Sequence, residues 1–237
     1  MSQGEENMSD AIACRRSKAR ASVDRDQPGA KWRGLVRASA AALLAAVLLP
    51  AQAKTIVEEW AEVKVPPAPE LKPVKADPKD TALLVLDIVR QNCTPRPRCM
   101  ASVPKIQRLV ESARQTGAPV VYALVSGQAV TDILPEVAPR AGEAHVASGP
   151  DKFMNTDLDK ILKDKGIKNV IVTGTAAEGA VLNTAAGAAL RGYKVIFPVD
   201  GASSTNPYAE QYTAWHLANA PRVGAQVTLT RIDLVGF

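Results

Sequence analysis

The chain has 237 residues, of which 46% are hydrophobic, 22% charged and only 4% aromatic, a globular composition and not a disordered one. Its formal charge is +5, from 29 basic and 24 acidic residues. Three cysteines and two histidines exclude a disulfide-dense scaffold and leave few side chains for a zinc site.

Residues 1–30 are polar, and the basic patch Lys31-Trp32-Arg33-Gly34-Leu35-Val36-Arg37 leads into an apolar run from Ala38 to Pro50. That run is shorter than the roughly 20 residues needed to cross a bilayer. Ala51-Gln52-Ala53 follows it. Basic, apolar and small-residue segments in this order predict a secretory signal peptide over 1–53, cleaved after Ala53. The product would be periplasmic or secreted, with no stable membrane span; the alternatives are an uncleaved anchor or a buried helix. The long stretch before the apolar run suggests a translation start downstream of Met1. The leader holds eight of the basic and five of the acidic residues, so 54–237 keeps 21 and 19, a charge of +2. A basic stripe for nucleic acid loses its support, and no nucleic-acid partner is expected.

Residues 54–78 read as a strap or linker. KTIVEEWAEV has the spacing of a short amphipathic helix presenting Ile56, Val57, Trp60 and Val63, and five prolines between Pro66 and Pro78 predict extended chain. From 79 to 237 strands and helices alternate. Thr81–Leu86 is a continuous apolar strand that ends in Asp87, as suits the centre of a parallel sheet covered on both faces. Ser102 is expected to cap a helix over Val103–Thr116, with Pro104 in its first turn and Gly117 as its stop. Pro119–Val125 is a second strand, and Ser126–Pro150 a long loop. Thr156 caps the next helix, Ile167–Val172 is a strand running into Thr173-Gly174, and 178–191 is an alanine-rich helix closed by Gly192. Tyr193–Val199 is a strand ending in Asp200, Pro207–Ala218 a helix, and Gln226–Ile232 a last strand. This alternation predicts an α/β fold of three layers, a mostly parallel sheet between helices. Ligands of such folds bind beyond the carboxyl ends of the strands, where Asp87, the Gly174–Ala180 loop and Asp200 lie.

LLVLDIV, PDKFMNTDLDKILKDKGIKNVIVTGTAAEGAV and TAAGAALRGYKVIFPVDGASS resemble the isochorismatase-like (cysteine hydrolase) superfamily over about residues 80–235. The resemblance implies a six-stranded, mostly parallel sheet and a hydrolase of small organic substrates. It also implies a triad of Asp, Lys and nucleophilic Cys in the amidase members. The strand-end Asp matches Asp87. The Cys position is Ala180, and the Lys position, six residues before Phe153, is Ala147. Lys152, beside Phe153, either reaches the site from another backbone position or is a solvated surface lysine. Without a thiol, covalent amide hydrolysis lacks its nucleophile. Isochorismatases, which also lack the Cys, imply a different chemistry in which the strand-end Asp is general acid toward a vinyl ether.

The Thr175–Ala180 loop keeps the backbone pattern that could bind an anion or oxyanion through the Gly179 and Ala180 amides. Glu178 either orients a ligand or complements the helix dipole. His145 and His216 lie far apart in sequence, so no metal and no other cofactor is expected. Cys93 and Cys99 read as a structural disulfide in an oxidising compartment, with two free thiols or a redox pair as alternatives. Ser148, Ser203 and Ser204 lie outside any nucleophile-elbow motif. Two functions stand: an exported hydrolase working through Asp87 and Lys152, or a catalytically degenerate small-molecule-binding protein. A homo-oligomer is possible in either case.

Overall fold

The computed structural model describes residues 53–237, so the leader expected over 1–53 lies outside them apart from Ala53. The chain divides into two units, Met1–Glu58 and Glu59–Phe237. A one-turn helix, α1 (Ile56–Glu59), stands where the amphipathic helix was expected and buries none of its side chains.

In the larger unit the proline strap is tied to the domain from Leu71 onward. Leu71 packs on the core, Lys72 N–H donates to Leu229 O at 2.9 Å, and β1 (Val74–Lys75) pairs in parallel with the C-terminal Val235–Gly236. Next come β2 (Thr81–Leu86), α2 (Arg90–Cys93), α3 (Pro97–Thr116), β3 (Val120–Val125), β4 (Ala144–Ser148) and α4 (Leu158–Asp164). After them β5 (Asn169–Thr175) runs through a π-helical turn, Ala177–Val181, into α5 (Leu182–Leu190). The chain finishes with β6 (Lys194–Pro198), β7 (Ala202–Ser203), α6 (Pro207–Asn219), β8 (Val227–Thr230) and β9 (Val235–Gly236).

The main sheet has the order β4-β3-β2-β5-β6-β8, with β7 added beside the end of β5, and its strand pairs are all parallel. All six residues of β2 are buried because alternate side chains serve two cores. Leu84 and Leu86 pack with Leu158 of α4, Ala185 of α5 and Leu217 of α6. Leu83 and Val85 face Ile106, Leu109 and Val110 of α3 on the other side. From β2 the chain builds outward through β3 to β4, then returns to lay β5 on the other side of β2. The carboxyl ends of β2 and β5 therefore flank the point where strand order reverses, the crevice in which open α/β sheets bind ligands.

Gly174 makes that neighbour relation possible. Its φ is 137°, and a Cβ there would stand 2.1 Å from the Leu86 carbonyl oxygen. Gly174→Ala should cost about 3 kcal/mol through overpacking and a disfavoured φ, read as a lower midpoint in urea unfolding with the slope unchanged.

Several elements differ from the sequence reading: the last strand is the shorter β8, Val227–Thr230, and the N-cap of α4 is Asp157 instead of Thr156. Helix α3 starts six residues early, at Pro97, so Pro104 sits inside it. Ser102 bonds back to Cys99 O at 2.7 Å instead of capping the helix. The Ser126–Pro150 loop contains β4, an edge strand whose residues alternate in exposure, held at its entrance by Arg114 of α3. The Arg114 guanidinium donates to both Glu143 carboxylate oxygens at 2.8 Å and to Ala138 O. The 178–191 helix opens as a π turn.

Candidate active site

Asp87 follows β2 at φ 55°, one of three described non-glycine residues in the left-handed region, a conformation that a short polar side chain tolerates best. Its backbone is fixed on both sides. The N–H donates to Ala123 O at 2.8 Å, and the carbonyl accepts from Val89 N–H at 2.9 Å and Asn92 Nδ2 at 3.2 Å. The residue is 4% exposed.

Lys152 is fully buried, not a surface lysine. Its flanking residues lock the turn that carries it. Asp151 Oδ1 accepts from Phe153 N–H at 3.0 Å, Lys152 N–H donates to Thr184 Oγ1 of α5 at 3.2 Å, and Thr156 Oγ1 donates to Lys152 O at 2.5 Å. Phe153 lies under the Arg191 guanidinium, 4.5 Å from the ring centre, with the Tyr193 ring 6.1 Å away. The Arg-Gly-Tyr end of the alanine-rich helix is thus the anchor of the Asp-Lys-Phe turn. Held in this way, the Lys152 ammonium donates to Leu124 O at 3.0 Å and Ser148 O at 3.3 Å, at the carboxyl ends of β3 and β4. It also stands 2.9 Å from Asp87 Oδ1. Ala147 is exposed on β4, so the cation at the site comes from Lys152, five residues on.

The pair is close but not aligned. Asp87 Oδ1 has an ion-pair contact with Lys152 and no hydrogen bond of acceptable geometry. A buried acceptor of this kind is costly to leave unmet and is available to a substrate proton or a water. Burial raises the Asp87 carboxyl above the usual aspartate range, and the neighbouring ammonium offsets part of that rise.

The loop beyond β5 completes the surroundings. Leu86 pairs with Gly174, so Asp87 lies next to the end of β5, where the Thr175–Ala176 peptide is cis. Thr175 is buried and its hydroxyl donates to Ser203 O at 3.0 Å. Ala180 is buried in the same apolar cluster as Leu86, Ala123 and Phe153, and carries no reactive group. The Gly179 N–H donates to Ala176 O at 3.1 Å within the turn, which removes it from the expected oxyanion hole. Glu178 is exposed and accepts from Ser204 Oγ at 2.9 Å. Asp200 accepts from Ile232 N–H at 2.8 Å and pairs with Lys105 at 3.2 Å, a structural role at the end of β6. Cys93 and Cys99, both buried, form a disulfide that joins α2 to the start of α3, just beyond Asp87. Among the described residues no group of three His, Cys, Asp or Glu side chains converges as metal ligands, and no helix is long and apolar enough to cross a membrane.

The family model described as Isochorismatase domain matches residues 81–231, which contain Asp87, Lys152 and the loop beyond β5. The chain belongs to the isochorismatase family. It is similar, at 30% identity over 142 residues, to the secreted isochorismatase effector Isc1 of Verticillium dahliae, a match covering 54% of this chain and 75% of that protein. It is 26% identical over 145 residues to an N-carbamoylsarcosine amidase of an Arthrobacter species, spanning 55% of that protein's length. Among solved structures, the N-carbamoylsarcosine amidase of Thermoplasma acidophilum superposes with a TM-score of 0.57 at 27% identity, covering 65% of this chain and 97% of that one. The chain is thus a family member with the three-layer α/β isochorismatase-like fold. Within it the strand-end carboxylate of Asp87 meets Lys152, and the buried residue 180 is an alanine.

Proposed function

We propose that this chain is an exported hydrolase that cleaves a small organic substrate with Asp87 and Lys152 and without a covalent intermediate. The observation that carries this reading is the buried Asp87–Lys152 pair at the strand-order switch, beside a loop whose buried residue 180 is alanine. An enol ether is the substrate class that this set of groups suits best. Protonated Asp87 gives its proton to the vinyl carbon, and the resulting oxocarbenium ion takes up water. The carboxylate then receives the proton lost by that water. The hemiketal collapses to a carbonyl compound and an alcohol, which balances as net hydrolysis. Lys152 holds the carboxylate in place and stabilises its charged form between the two transfers. Amides and imides would need water itself as the nucleophile, with Asp87 as base. Export rests on the leader pattern and on similarity to a secreted relative.

The test is turnover of enol ethers, amides and imides by the purified protein. A general acid must be protonated, so kcat/KM should fall as pH rises through the raised Asp87 pKa. In Lys152→Met the ammonium no longer lowers that pKa, and the falling limb should move to higher pH. A limb that stays in place in that variant would assign the titration to another group.

A second reading is supported by Ala180 and Ala147, two alanines at catalytic positions of the family. In that case the protein binds a small molecule and leaves it intact. A ligand that raises the melting temperature and is recovered unchanged from every incubation would establish it.

A further inference from the structure

The arm preceding the domain and helix α6 both leave apolar surface uncovered. Within the Glu59–Phe237 unit, Trp60 is 76% exposed, Val63 59% and Val65 65%. Immediately after them Pro66, Pro67 and Pro69 remove three of four backbone donors and favour an extended, stiff strap. These prolines form one wall of an open groove of about 690 Å³. The other wall is α6, which contributes Ala214, Trp215 and Ala218. Trp215 is itself 45% exposed.

We propose that this groove receives the Trp60–Val65 arm of a second copy of the chain, in a two-fold dimer that exchanges arms. The chain's own arm leaves from the lip of the groove and keeps Trp60 in solvent, so it does not fill the groove beside it. A two-fold partner set over the same lip brings its arm to α6 and accepts this arm in return, an isologous contact. One arm and one groove per chain means that a single closed pair covers all of these surfaces. Any unrelated occupant would leave the Trp60 arm bare. A tryptophan buries about 150–250 Å² and is the residue type that most often anchors an interface. The groove volume is in the range, about 300–1,000 Å³, that encloses an apolar body of such size.

The test is sedimentation velocity on the purified full protein with two variants. Trp60→Ser with Val63→Ser disables the arm, and Trp215→Ser disables the groove. The protein is expected to be a dimer, and each variant to weaken association at least about thirty-fold. Mixing the two variants should restore association, because the intact arm of one meets the intact groove of the other. A protein monomeric at every accessible concentration, a dimer indifferent to the arm variant, or a mixture no more associated than its components would each overturn the proposal. Trp60 and Val63 are exposed, so the arm variant decides the matter alone if Trp215→Ser does not fold.

Discussion

Replacing Lys152 by methionine is expected to remove about 3–5 kcal/mol of stability at neutral pH, because it leaves the Asp87 carboxylate buried with no counter-charge. Total stabilities of about 5–15 kcal/mol make this a variant close to its unfolding limit. Burial already raises the Asp87 pKa, and without Lys152 that effect acts unopposed. A carboxyl whose folded-state pKa lies above its unfolded value contributes most to stability below the unfolded value. It loses that contribution as pH rises through the folded one. The deficit of Lys152→Met should therefore be largest at neutral pH and shrink on acidification. Adding Asp87→Asn removes the orphaned charge, so the double variant should be more stable than Lys152→Met alone. Urea unfolding of the three proteins across pH checks this. A deficit that is the same at every pH would mean that lost packing, and not the stranded carboxylate, destabilises the variant.

Asp87→Asn should lower kcat by about 10²- to 10⁴-fold, the usual contribution of a general acid or base. The amide matches the carboxylate in size and cannot move a proton between carbon and water. It also leaves the Lys152 ammonium without its counter-ion, so the single variant loses stability as well as activity. Circular dichroism and a thermal melt of Asp87→Asn separate the two effects. The single variant should be folded at the assay temperature and still inactive, which a purely structural role for Asp87 would not produce.

The main strands were legible because the physics there is local. Five apolar residues in a row after Thr81, all six buried, can hardly be anything but a central strand, and the carboxylate at its end is conspicuous. Strand order is not written in any one segment. The reversal between β2 and β5 emerges only when the chain returns across the sheet, so the ends of strands could be named as the site but not the crevice between these two. β4 hid because an edge strand with alternating exposure, set among glycines and prolines, carries a weak signal. The start of α3 hid because CTPRPRC reads as a loop, although proline at the first helical position is favourable.

Lys152 marks the boundary of what spacing reveals. Counting along the motif put the lysine position at 147, where an alanine faces outward, and nothing in the local pattern states that a lysine beside Phe153 turns inward. The signal was present in the partners, Asp151, Thr156, Thr184, Arg191 and Tyr193, which together fix the turn through contacts up to about forty residues away. The Gly179 amide failed the sequence expectation for the opposite reason. The loop has the right residues, but its own turn uses the donor.

In the proposed reaction Asp87 protonates carbon and no covalent enzyme intermediate forms. Hydrolysis of an enol ether in D₂O, followed by NMR with the wild-type protein and Asp87→Asn side by side, tests it most directly. The expected result is a solvent deuteron on the former vinyl carbon in the wild-type product and almost no product from the variant. Product formed by Asp87→Asn at the wild-type rate, or wild-type product carrying no deuterium at that carbon, would contradict it.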